Sequence, residues 1–173
     1  MRNEVKEKRM ELIKEFEERS PENFERRSLI FRLLAILVFV RFLYPILSII
    51  YQLVYNVPIS ALDYLMSFFP IIVIIAFSHL IYFSGARAAA LLALLGGLWS
   101  LWNVIYNDEI FLLIANNTSD TFFVITSLIF ICSVLIQIFT MAFINLDKKT
   151  KLYLTSMSEI HKEMVKWLKS SRQ

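Results

Sequence analysis

Four apolar stretches without acidic side chains fill the middle of the sequence: Leu29 to Tyr55, Tyr64 to Phe83, Ala86 to Tyr106 and Phe122 to Leu146. A helix rises about 1.5 Å per residue, so about 20 apolar residues suffice to cross a hydrocarbon layer about 30 Å thick. A chain of 173 residues that is 57% hydrophobic, with mean hydropathy +0.59, has more apolar surface than a water-soluble core of that size can hide. The expected fold class is therefore all-α: a polytopic membrane protein with four transmembrane helices and amphipathic cytosolic helices at both termini. Charge divides the chain accordingly into a cytosolic N-terminal helix and corner (1–28), a four-helix membrane domain (29–146) and a cytosolic C-terminal helix (147–173).

Orientation follows from the short connections, because Lys and Arg concentrate on the cytoplasmic side. Arg26, Arg27 and Arg32 flank the first span, Arg87 lies in the second turn, and Lys148, Lys149 and Lys151 follow the fourth span. The first and third connections hold Asp63, Asp108, Glu109 and Asp120 and no basic residue. Both termini are thus expected inside a cell (inner) membrane. Tyr51, Tyr55, Trp99, Trp102 and Tyr106 fall where an outer interfacial belt belongs. The third connection contains the apolar run IFLLIA (110–115), too short to span and expected to lie half-buried at the outer face. The charged first 28 residues lack the apolar region of a cleavable signal, so the first span is expected to direct insertion.

The wet ends have helical patterns of their own. Val5, Leu12, Ile13 and Phe16 share one face over residues 3–19, and Ser20-Pro21 reads as an N-cap and first helical residue of the next helix. At the other end Tyr153, Met157, Ile160, Met164 and Trp167 recur at spacings of four, three, four and three, a heptad-like seam that one helix cannot bury alone. Such a seam packs on the N-terminal helix, lies on the membrane surface, docks a cytosolic protein partner, or forms a bundle between subunits. The first 28 residues balance eight acids with eight bases, whereas the tail from Asp147 has seven bases against three acids and suits anionic headgroups.

Charge inside an apolar run is costly, which singles out Arg41. It lies eight residues beyond Leu33, about 12 Å from the inner edge. No carboxylate occurs within any of the four runs. Gln137, nine residues before Leu146, lies at nearly the same depth and is the expected partner. The polar stripe Arg41, Tyr44, Ser48, Gln52 and Tyr55 on the first span can face Thr126, Ser133, Gln137 and Thr140 on the fourth. Pro45 frees the carbonyl of Arg41 from its helical bond, and His79 is level enough to join. The stripes make a dry hydrogen-bonded cluster, line a hydrated cavity, or form an anion-attracting ring between copies. On the third span Gly85, Ala89, Ala93 and Gly97, extended by Gly96 and Ser100, form a small-residue ridge for close helix contact within one bundle or between copies.

Reaction chemistry has no visible carrier. His-Glu-x-x-His, Cys-x-x-Cys and a glycine-rich phosphate loop are absent, and neither a metal nor a cofactor is expected. The single cysteine, Cys132, excludes a disulfide framework and reads as a packing residue. Asn116-Asn117-Thr118 matches a glycosylation sequon, of consequence only in a eukaryotic secretory setting. With pI about 9.0 the chain is too mildly basic for nucleic-acid binding to be expected. The leading functional expectation is a non-enzymatic, homo-oligomeric membrane component: a sensor, scaffold or regulatory subunit that docks a cytosolic partner. Its topology resembles that of small four-span proteins of bacterial phage-defence systems. The absence of buried acids weighs against ion-coupled carriers. A channel lined by the Arg41 and Gln137 stripes, or a small-solute transporter, are the other two readings.

Overall fold

A computed structural model describes residues 2–18, 21–56, 61–106 and 120–170. The chain is all-α, with six helices among the described residues: α1 (Arg2–Glu18), α2 (Pro21–Val54), α3 (Ala61–Ser84), α4 (Arg87–Tyr106), α5 (Thr121–Leu146) and α6 (Lys148–Ser170). Three of them, α2, α4 and α5, are long and apolar enough to cross a membrane, and Phe68–Ser84 within α3 is a shorter apolar helix. These features are those of a multi-pass membrane protein. The apolar run IFLLIA, Asp108 and Glu109, the sequon at 116–118, Ser20 and most of the first connection lie outside the described residues. Asp63, expected in that connection, belongs to the first turn of α3, which begins at Ala61.

Helices α2, α3, α4 and α5 each pack on their neighbours in a ring, with the broadest contacts where α5 meets α4 and α2. The distribution of side chains is inverted relative to a water-soluble bundle. Phe31, Phe39, Phe42, Leu95, Trp99, Leu128 and Phe139 point outward, while α5 buries Thr126, Ser133, Gln137 and Thr140. An apolar exterior of this kind is consistent with a lipid surrounding, where enclosed polar groups need internal partners. Cys132, expected as a packing residue, is exposed. It precedes buried Ser133 by one residue and so turns about 100° away from the polar face.

The connections are tight. Gly85, in the left-handed region at φ 61°, ends α3, and the N–H groups of Gly85 and Ala86 donate to the carbonyls of Ile81 (3.1 Å) and Leu80 (3.3 Å). One residue, Asp147, joins α5 to α6: its N–H donates to the Phe143 carbonyl at 2.9 Å, and its carboxylate accepts from Thr150 N–H at 2.7 Å. Asp147 therefore closes one helix and caps the next. The Thr150 hydroxyl and N–H beside it, with smaller attractions from Arg26 and Lys149, hold its carboxyl below the usual carboxylate range. Arg26 reaches it at 3.3 Å, bracing the start of α2 against this corner. At the opposite end Asp120 caps α5, accepting from Phe123 N–H at 3.0 Å and from the Tyr55 hydroxyl at 3.4 Å. Tyr51 stacks on Phe122 there, with ring centres 5.8 Å apart.

Helices α1 and α6 pack on each other and on the bundle end where α3 turns into α4. One core cluster runs without interruption from Ile13 in α1 through Tyr153, Leu154 and Met157 in α6 to Ile81, Ala89 and Ala90, and on to Leu37 and Met141. The side-chain amide of Asn23 donates to the carbonyl of Phe16 at 3.2 Å, tying the end of α1 to the start of α2.

Candidate functional site

A polar node lies inside the apolar bundle where α2, α4 and α5 meet. Its origin is sequence geometry: each helix contributes one group that has no apolar substitute at that level. Arg41 on α2 is 7% exposed, too enclosed for its guanidinium to escape along the side chain to a distant surface. Its Nε donates to Gln137 Oε1 at 3.0 Å, and Nη2 donates to the same oxygen. Gln137, 4% exposed, turns its Nε2 outward to the backbone carbonyl of Ala93 on α4, at 2.7 Å. One amide thus accepts from one helix and donates to another, using both its carbonyl and its amino group. Three helices are pinned at one level.

Aromatic faces complete the surroundings of the cation. Phe130, seven residues before Gln137 and on the same face of α5, lies under the guanidinium with 5.9 Å from Cζ to ring centre. Tyr44 packs obliquely against that ring, centroids 4.7 Å apart. Gly97 supplies room for the amide, because a Cβ there would sit 3.3 Å from Gln137 Nε2 and 3.0 Å from Ile138 Cγ1. Phe130 and the Ala93 carbonyl escaped the sequence reading. The seven-residue spacing to Gln137 could have revealed the former, whereas a backbone acceptor leaves no trace in residue identity.

The other members of the two stripes are placed differently. Ser133 and Thr126 satisfy their hydroxyls on their own helix, at the carbonyls of Phe130 (2.7 Å) and Phe122 (2.9 Å). Thr140 is buried, and Ser48 and Gln52 are half-buried further along α2. His79 is not brought to Arg41. It is exposed on α3, its ring 4.4 Å from that of Phe83, and it lines a groove between α2 and α3. Among the described residues no His, Cys, Asp or Glu cluster could hold a metal.

The small-residue ridge is used within one chain. Ala89 and Ala93 are buried against the bundle, and Gly97 faces Gln137 and Ile138 of α5. Gly85 faces α6, where a Cβ would collide with the Leu154 carbonyl oxygen and approach Ser158 N to 2.8 Å. Gly96 points the other way, with nothing within 4 Å, and Ser100 bonds back to its carbonyl.

The heptad-like seam is likewise filled internally. Tyr153 (3% exposed), Met157 (2%) and Met164 (5%) are buried, and Ile160 and Trp167 are half-buried. Phe16 of α1 stacks obliquely on Tyr153, centroids 5.9 Å apart, and Ile13 enters the same core. Helix α1 covers part of this face and α2, α3 and α5 cover the rest of its buried side, with Ile160 and Trp167 left partly open.

Comparison with protein-family models, with curated proteins and with solved structures gives no match to this chain.

Proposed function

We propose that this chain is a four-span membrane component with both termini in the cytosol, acting without catalysis as a sensor, scaffold or regulatory subunit. The fourth span is α3: its 24 residues extend for about 36 Å, and the part Phe68–Ser84 is apolar. The basic flanks Arg26, Arg27, Arg87, Lys148 and Lys149 all gather at the bundle end that α1 and α6 cover, which supports the cytosolic assignment of that end. Thiol labelling tests it. In a Cys132→Ser background, Asn117→Cys is expected to react with an impermeant maleimide added to intact cells, and Ser170→Cys only after permeabilisation. The reverse pattern overturns the orientation.

The single observation that carries the functional reading is the unbroken core from Ile13 to Met141. A cytosolic helix pair that merely hung from a membrane bundle would have its own core and a linker. Here α6 packs on α2, α3 and α5, and α1 packs on α2 and α6, so the membrane and cytosolic parts form one mechanical unit. That arrangement suits a device that presents a defined cytosolic surface according to the state of its membrane part. The surface left for a partner is the charged outer face of the pair, including Glu11, Lys14, Lys162, Glu163 and Lys166, since the seam is occupied. Contact between copies is supported by the outward notch at Gly96 between Leu95 and Trp99 on α4.

A channel reading requires water along the Arg41 and Gln137 stripes, whereas these two side chains are committed to each other and to Ala93. The native protein is therefore expected to be electrically silent in planar bilayers, and to give masses of more than one copy when released from nanodiscs. Steady unitary currents that change amplitude in Arg41→Leu would overturn the reading.

A further inference from the structure

The groove between α2 and α3 has the layered chemistry of a glycerophospholipid. Its volume is about 530 Å³, and Phe31, Val38, Phe39, Phe42 and Ile75 make its walls almost wholly apolar. Besides the exposed ring of His79, two polar features interrupt them. Ser78 Oγ is buried in the groove wall with no hydrogen-bond partner. One helical turn nearer the cytosolic end, Tyr82 carries its hydroxyl to Arg27, which donates from Nε at 3.0 Å and lays its guanidinium 5.4 Å from the ring centre. Four residues of helix separate the two levels by about 6 Å. A glycerol backbone spans a comparable distance between its phosphate and its ester carbonyls.

We infer that this groove holds one anionic phospholipid of the cytoplasmic leaflet. The phosphate sits at Arg27 and Tyr82, the Ser78 side chain turns its hydroxyl from the wall into the groove and donates to an ester carbonyl, and an acyl chain runs along Phe39, Phe42 and Ile75. Charge complementarity decides the headgroup class. Arg27 lies in a stretch that also presents the exposed Arg32, and basic pockets between helices on the cytoplasmic side select anionic lipids. An orphaned hydroxyl in an apolar wall is itself costly, and an ester carbonyl removes that cost. The assignment rests on the four-span reading above.

The test is lipid retention by the full chain, extracted from vesicles of equal phosphatidylglycerol and phosphatidylcholine and measured by native mass spectrometry. The native protein is expected to retain phosphatidylglycerol preferentially. Arg27→Gln should lower that preference about fivefold, the effect of one basic contact near an anionic lipid, while Arg87→Gln, also basic and exposed at this end, should leave it unchanged. Ala35→Phe adds a ring to an exposed position in the groove wall and should abolish retention of either lipid while helix content and melting temperature stay native. Equal retention of both lipids by the native chain would overturn the proposal. So would unaltered phosphatidylglycerol binding in Ala35→Phe, or a loss of dimer mass in that variant without loss of lipid, which would assign the groove to a second copy. Retention in detergent does not depend on which side the termini face, so its outcome is separable from that of thiol labelling.

Discussion

Gly85→Ala is expected to destabilise the protein by about 2–4 kcal/mol, more than the same change at Gly96 or Gly97. Two costs combine. An alanine at φ 61° carries the left-handed penalty of about 1–2 kcal/mol. The new Cβ also collides with backbone, at the Leu154 carbonyl oxygen and Ser158 N, instead of with a side chain that could rotate away. Relief requires α6 to lift from the α3–α4 turn, which exposes Leu154 and Met157. Two measurements check this: thermal unfolding in detergent, and trypsin cleavage at Lys162 and Lys166 in inside-out vesicles. Gly96→Ala serves as the control, since nothing lies within 4 Å of that position. Its effect should stay within about 0.5 kcal/mol. Equal melting temperatures for the two variants would show that α6 does not rest on Gly85.

The polar node makes an ordered prediction about three variants. Gln137→Leu removes the oxygen that receives two donors from Arg41 and leaves a buried cation without that acceptor, which is expected to cost about 3 kcal/mol or more. Arg41→Leu removes the charge itself and leaves a neutral amide still bonded to Ala93. Its cost should be smaller, about 1 kcal/mol. The double variant Arg41→Leu with Gln137→Leu replaces both partners by apolar groups and should recover most of the loss. Unfolding in graded denaturing detergent, with steady-state abundance in membranes as a second readout, resolves that order. Additive losses in the double variant would mean that Arg41 and Gln137 act independently.

How far these features were legible in the sequence depends on whether a local or a distant signal defines them. The long apolar helices were readable because span length and hydropathy are summed over many residues, and the exact bounds matter little. The meeting of Arg41 with Gln137 was also within reach, since helical rise converts residue number into depth. Azimuth was harder. α3 is apolar nearly all round, so nothing in its pattern indicated that His79 faces outward into the groove that Ser78 also lines. The seam of α6 and the apolar face of α1 were both visible as patterns, yet only the fold shows that Ile13 and Phe16 occupy the seam. Gly85 stood out as the start of a small-residue ridge. Its positive φ and its neighbour Leu154, 69 residues later, belong to a turn and a crossing that spacing alone does not encode.

The single-residue corner at Asp147 has a mechanical consequence. With no slack between α5 and α6, and with Arg26 clamping the corner, a change in the inclination of α5 reaches α6 as a swing of its far tip. A 23-residue arm is about 34 Å long, so a tilt of about 5° sweeps Trp167 and its surroundings through about 3 Å. Tilting within the limits that neighbouring helices allow is one way a span adjusts to bilayer thickness. On the sensor reading proposed above, the corner would carry a thickness difference of the surrounding lipid to the outer face of α6, the surface offered to a partner.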